Sequence, residues 1–256
     1  MNTIALEEKE GYTIVQLNRG KANAINFEMV RELREAFQSF SKNDGIKGVV
    51  LTGKPHFFSA GLDLVELIQY DKSKMDDFFM AFGSLYTEML RFKKPLIAAI
   101  TGHSPAGGCV LAVTCDNRYM VEGEKYVIGL NEVAVNVQIS QDLTACYAYW
   151  LGSGLAHRYV LEGKLLNGQE ALSSGLIDEL LPLEEVLPRA EKQMQRYLKA
   201  DQEILLNTKT KLRKPLLDQL EPQPENAMQQ AAELWWKPEI RTKMEAYVES
   251  FSNKKK

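Results

Sequence analysis

The sequence predicts an α/β fold, and three observations carry the prediction. Apolar, β-branched runs of strand length recur in the first half of the chain, at 12–17, 48–52 and 96–100. Two of these runs lead through glycine-containing turns into helix-compatible stretches: Phe58-Ser59-Ala60-Gly61-Leu62-Asp63 and Pro105-Ala106-Gly107-Gly108-Cys109-Val110-Leu111-Ala112. Beyond Gln141 the pattern becomes helical. Strand and helix units of unequal length, followed by a helical tail, argue for helices packed on a sheet.

The elements follow in order. Tyr12-Thr13-Ile14-Val15-Gln16-Leu17 reads as a strand that Asn18-Arg19-Gly20 ends. Asn26 can cap a helix from about Phe27 to Ser41, where Met29, Leu33 and Phe37 recur on one face. Asn43-Asp44-Gly45 closes that unit before the strand at Val49. Residues 64–93 are helical in composition, with a break or mobile loop expected at Tyr70-Asp71-Lys72-Ser73-Lys74 and a buried face at Leu85, Met89 and Phe92. Two short strands are expected at 117–121 and 125–130. Gly152-Ser153-Gly154, Gly163 and Gly175 punctuate short helices, and 183–198 forms a longer one. Pro222-Gln223-Pro224 sets off a last segment whose Leu234-Trp235-Trp236 carries more aromatic surface than a solvated helix needs. It either docks on a partner or packs on the chain's own core.

Composition bounds the function. The 256 residues suit one large domain, or one domain with an appendage, divided here into a core of 1–200 and a helical region of 201–256. A net charge of −3 leaves no electrostatic footprint for nucleic acid. Cys109, Cys115 and Cys146 lack metal-ligand spacing and read as buried thiols in a reducing compartment, and His56, His103 and His157 are dispersed, so no metal is expected. No leader pattern opens the chain and no apolar run reaches membrane-spanning length, so a cytoplasmic location is expected.

The two glycine turns carry the chemistry. Such turns leave backbone N–H groups without partners, and two converging amides can hold an oxygen that gains negative charge. In these motifs the chain resembles the crotonase (enoyl-CoA hydratase/isomerase) superfamily. Lys21-Ala22-Asn23-Ala24-Ile25-Asn26 resembles its first CoA-binding loop, Cys115-Asp116-Asn117-Arg118 a strand entry after the second turn, and Gly168-Gln169-Glu170-Ala171-Leu172 to Gly175-Leu176-Ile177-Asp178 a later helical stretch. The resemblance covers most of the chain. It implies a spiral of ββα units followed by a helical C-terminal region that builds a homotrimer or a dimer of trimers. It also implies an acyl-CoA thioester as substrate, with no cofactor beyond the substrate's own coenzyme A. The amides of Ala60 and Gly107 would form the oxyanion hole. Lys21, Ala22, Ala24, Ser59, Gly61, Leu62, Asp63, Gly108 and Val110 would contact CoA or substrate.

The acid/base residues separate the family's reactions. Hydratases of the family resemble one another in having a glutamate directly after the Gly-Gly-Cys unit and a second about twenty residues on. Here the first position is Val110, and the second falls in Gly129-Leu130-Asn131-Glu132. One retained carboxylate suits moving a proton without adding water. The pattern resembles the mitochondrial type of 3,2-enoyl-CoA isomerase, with Glu132 as catalytic base. Asp63 reads as a loop anchor or cap, and Asp142 and Glu66 as weaker candidates for a second acid. Gln138, Ser140, Gln141 and Asp142 make the expected wall of the acyl pocket polar. That polarity keeps open another enolate reaction (hydration, hydrolysis or decarboxylation) and a non-catalytic acyl-CoA-binding subunit. Lys21 and Lys54 are cationic candidates for the CoA phosphates. The Lys254-Lys255-Lys256 tail reads as a solvated end that could also reach a neighbouring subunit's nucleotide.

Overall fold

The computed structural model describes residues 1–220 and 224–253. The chain opens with an antiparallel hairpin, β1 (Ile4–Lys9) and β2 (Tyr12–Leu17), followed by helix α1 (Phe27–Lys42). Three strand pairs follow: β3 (Val49–Thr52) with β4 (His56–Phe57), β5 (Leu96–Ile100) with β6 (Gly102–Pro105), and β7 (Asn117–Val121) with β8 (Val127–Gly129). Helices α2 (Leu64–Leu67) and α3 (Lys72–Leu90) lie between the first two pairs, and α4 (Gly107–Val113) between the last two. A 3₁₀ turn at Glu132–Val135 leads into α5 (Gln141–Leu151) and α6 (Ser153–Glu162). Then come β9 (Leu166–Asn167), α7 (Gly168–Ser173), β10 (Glu179–Leu181), α8 (Leu183–Leu198), α9 (Gln202–Leu217), α10 (Pro224–Trp235) and α11 (Pro238–Asn253).

Each strand pair gives its first member to a large sheet, ordered β1-β2-β3-β5-β7-β10, and its second to a small sheet, ordered β4-β6-β8-β9. The chain therefore advances as a spiral in which β3, β5 and β7 run parallel in one sheet while β4, β6 and β8 run parallel in the other. Every residue of β3 and β5 is buried, as expected for central parallel strands covered on both faces. Helix α8 packs against β3, β5 and β7, and α1 packs against α3. The seven residues of α4 are all buried, which makes it a central helix.

Most expected elements appear near their expected bounds. Asn26 caps α1 by accepting a hydrogen bond from the Met29 amide at 3.0 Å. The expected break separates α2 from α3. It is not a loose loop, because Tyr70 is buried and its hydroxyl donates to Glu66. Strand β1 has no counterpart in the sequence reading, since all but Ile4 of its residues are exposed and it shows no apolar alternation. Strands β4, β6 and β9 are two to four residues long and escape periodicity for that reason. The aromatic tail packs on the chain's own core: Trp235 is buried and meets Phe79 of α3 edge-on, at 6.0 Å between ring centroids. The terminal lysines 254–256 and residues 222–223 of the proline segment lie outside the described residues.

Candidate active site

Three loops meet because three short strands are neighbours. Residues 58–63 follow β4, residues 106–108 follow β6, and residues 130–132 follow β8. Those strands lie side by side and parallel in the small sheet, so the segments leaving their carboxyl ends converge at one edge. Ligand sites of α/β proteins form at such ends. A cavity of about 380 Å³ opens there, lined by Ala60, Leu62, Gly107, Val110, Asn131 and Glu132. Its apolar wall comes from Leu64 and Val65 at α2, Phe79 and Phe82 of α3, Val135, Val137, Leu143 and Leu165, with Met228, Ala231 and Tyr247 from the C-terminal helices.

The backbone amides correct one expectation. The Ala60 N–H donates to the Ala22 carbonyl at 2.9 Å, so it is not available as an oxyanion donor. The available amide lies two residues on. Leu62 forms a single parallel bridge with Ile25, in which the Ile25 N–H donates to the Gly61 carbonyl (2.8 Å) and the Asp63 N–H to the Ile25 carbonyl (2.9 Å). In a parallel bridge the central residue's own N–H points away from its partner. The Leu62 amide accordingly makes no hydrogen bond among the described residues and faces the cavity side. Gly107 is the first residue of α4, and its amide is likewise without an intrahelical acceptor. The two are close: a Cβ built on Gly107 would lie 3.3 Å from the Leu62 nitrogen.

Backbone strain holds this arrangement. Gly61 adopts φ +85°, which L side chains rarely adopt. Ala106, the residue before α4, holds φ +45° although it has a side chain, and its amide is tied to the Gly129 carbonyl at 2.8 Å. Conformations of that kind cost about 1–3 kcal/mol and concentrate at functional sites. Gly108 is required for packing instead, since a Cβ there would sit 2.7 Å from the Ser59 carbonyl oxygen. Ser59 is fully buried and its hydroxyl donates to the Asn23 carbonyl. Ser59, Gly61 and Gly108 therefore shape the turns and do not line the cavity, contrary to their expected substrate contacts. Ala24, Leu62, Asp63 and Val110 do line it, whereas Lys21 and Ala22 do not. Lys21 is exposed beside Gly20, whose carbonyl accepts from the Lys54 ammonium at 2.8 Å.

Among the described residues, Glu132 is the one buried carboxyl that lines the cavity. It is 7% exposed, and its Oε2 has no hydrogen-bond partner among the described residues. Burial pushes its pKa up from 4.5 to about 7, with its own backbone amide opposing the shift. The Asn131 Oδ1 beside it is also buried and unpartnered. Val110 also lines the cavity and brings no carboxylate to it. The other acidic candidates are engaged elsewhere. Asp63 caps α2 and pairs with Arg19 at 2.7 Å, while Glu66 is held by Arg19, Asn26 and Tyr70. Asp142 is buried in the first turn of α5 and does not line the cavity. Of the polar segment only Gln138 and Ser140 face the cavity, and the Ser140 oxygen caps α5, so the wall is more apolar than its sequence suggests. Among the described residues, no three His, Cys, Asp or Glu side chains are grouped to hold a metal ion.

The spiral of strand pairs, and a cavity that gathers the Leu62 and Gly107 amides with the buried Glu132 carboxyl, fit an enzyme of the crotonase type. The family model described as enoyl-CoA hydratase/isomerase matches residues 7–255, and the chain belongs to that family. It is 31% identical to the mitochondrial enoyl-CoA delta isomerase 1 of Rattus norvegicus, over 99% of this chain and 89% of the rat protein. The mitochondrial enoyl-CoA hydratase of Pongo abelii is 32% identical over 69% of this chain and 60% of its own length. The crystal structure of human mitochondrial delta3-delta2-enoyl-CoA isomerase superposes with a TM-score of 0.93 at 26% identity, covering 99% of this chain and all of the human one.

Proposed function

We propose that the protein isomerises 3-enoyl-CoA thioesters to 2-enoyl-CoA thioesters, with Glu132 as the sole acid/base. The observation that carries this reading is a buried carboxyl with a raised pKa in a largely apolar cavity, where Val110 takes the position of the first glutamate of hydratases. The C2 proton of a 3-enoyl thioester is acidified by the carbonyl and by the adjacent alkene. Glu132 takes that proton, and the electron pair of the broken C2–H bond delocalises over a dienolate. The negative oxygen sits on the Leu62 and Gly107 amides, which replace the expected Ala60–Gly107 pair. The protonated carboxyl then delivers hydrogen to C4, the C2=C3 bond forms, and Glu132 is again ionised. A base whose pKa lies near neutrality is matched to this double role. The rat and human isomerases, similar over nearly the whole chain, support the same reading.

Proton transfer of this kind needs no cofactor, because coenzyme A arrives with the substrate. Lys21 and Lys54, on either side of the Gly20 turn, are the cations we assign to its phosphates. The exposed apolar side chains Leu161, Ile204 and Leu212 support self-association as a trimer or dimer of trimers, which light scattering would measure. No described helix is long and apolar enough to cross a membrane. Three buried cysteines without disulfides support a reducing compartment, of which the cytoplasm is the one we propose.

Hydration is the second reading, favoured by the adjacent unpartnered oxygens of Asn131 and Glu132, which leave polar capacity for a water. Mass spectrometry of products formed from 3-enoyl-CoA and 2-enoyl-CoA in ¹⁸O-water separates the two. Isomerisation yields a product of unchanged mass without label. A hydroxyacyl product carrying ¹⁸O as the main species would reject the isomerase reading.

A further inference from the structure

One flexible side chain lines two cavities. Met228 of α10 lines the cavity that holds Glu132, and it also lines a second cavity of about 320 Å³ between α3 and α10. Among the described residues it is the one the two cavities share, so its side chain is part of the partition between them. The second cavity is formed by Lys72, Asp76 and Met80 of α3 and by Gln229, Ala232 and Glu233 of α10. Its charged rim includes the Lys72–Asp76 pair at 2.7 Å, so it opens toward a polar surface.

The seat for Met228 is written into α3. A Cβ built on Gly83 would lie 2.6 Å from the Met228 sulfur and 2.8 Å from its Cγ. Gly83 costs helix stability relative to alanine, and in exchange α10 can lay a thioether against the α3 backbone. Methionine turns about three side-chain bonds, so it can fill this position in several rotamers without moving either helix.

We propose that Met228 is the acyl-chain gate of this enzyme, setting the length of chain that the Glu132 cavity accepts. The proposal rests on the acyl-CoA reading above. Chains that end before Met228 are enclosed, and longer ones must displace it and pass into the α3–α10 cavity. Gly83 is the positioning residue that seats the thioether against α3, at the end of the chain's path.

The test is calorimetric titration of the full chain with saturated acyl-CoAs of increasing length, which needs no turnover. In the native protein, affinity rises about fourfold per buried methylene, equivalent to about 0.8 kcal/mol, until the chain reaches Met228, and then levels off. Met228→Ala moves that break outward by about two carbons, the reach of the lost thioether. Met228→Phe and Gly83→Ala move it inward, the second by pushing the sulfur toward the cavity. These opposed shifts keep the test decisive if one variant fails to fold. A break at the same length in every folded variant overturns the gate while leaving acyl-CoA binding in place. Failure of the native protein to bind any acyl-CoA overturns the functional reading and the gate with it.

Discussion

Glu132 has two properties that pull in opposite directions. Burial makes it a stronger base, and the same burial disfavours its charge in the folded state. Below pH 4.5 it is protonated in folded and unfolded chains alike. Between 4.5 and about 7 the folded protein holds a proton that the unfolded chain has released, so stability falls as pH rises through this window. At 1.36 kcal/mol per pKa unit the loss is about 3 kcal/mol, complete above pH 7. Urea unfolding at pH 5 and pH 8 therefore gives a smaller pH-dependent loss for Glu132→Gln than for the native protein, and equal losses would contradict the buried ionisation. Turnover depends on pH in the opposite sense: kcat/KM rises with pH through a midpoint near 7 as the free enzyme's carboxyl ionises. At this scale the sequence singled out Glu132, which the structure buries at the cavity, and Ala60, whose amide is already bonded. Which amide in Phe58–Asp63 stays unbonded depends on the Ala22 carbonyl and the Ile25 bridge, both remote in sequence. No local pattern records those pairings.

The working elements are the segments that follow β4, β6 and β8, not the helices that cover them. Their convergence follows from the parallel order of the small sheet. A chain reading finds the two glycine turns and the Glu132 segment separately. It cannot bring them together, because β4 and β6 are too short to show a period. Arg19 ties the same region from behind, reaching the Ala24 carbonyl, Asp63 and Glu66. The element-level prediction concerns Gly107. An alanine methyl there would meet Ile25 Cδ1 at 3.1 Å and the Leu62 nitrogen at 3.3 Å, in the space between the two free amides. Loss of one oxyanion donor typically lowers kcat by about 10²–10³-fold. Gly107→Ala keeps its own N–H but crowds the Leu62 amide, so kcat/KM is expected to fall by an amount in that range. Activity within threefold of native would remove Gly107 from the site.

Across the whole molecule, the C-terminal helices complete the cavity that the spiral begins. Met228, Ala231 and Tyr247 reach it from residues far along the chain, and Trp235 fixes α10 by packing on Phe79. The sequence left the aromatic tail divided between a partner and the chain's own core, since an amphipathic helix carries the same signal in both settings. Trp235→Ala is expected to cost about 3–5 kcal/mol in urea unfolding, as buried aromatic truncations do. It should also weaken acyl-CoA binding, because the same helix carries the wall. A cost below about 1 kcal/mol, the range of surface substitutions, would mean that α10 is not docked as described. The account as a whole depends on one carboxyl moving one proton. The direct measurement is the turnover of 3-enoyl-CoA by Glu132→Gln beside its acyl-CoA affinity. The expected result is a loss of about 10³-fold or more in kcat, within the range for a general base, with affinity essentially retained. Turnover above a tenth of native by the folded, ligand-binding variant would contradict it.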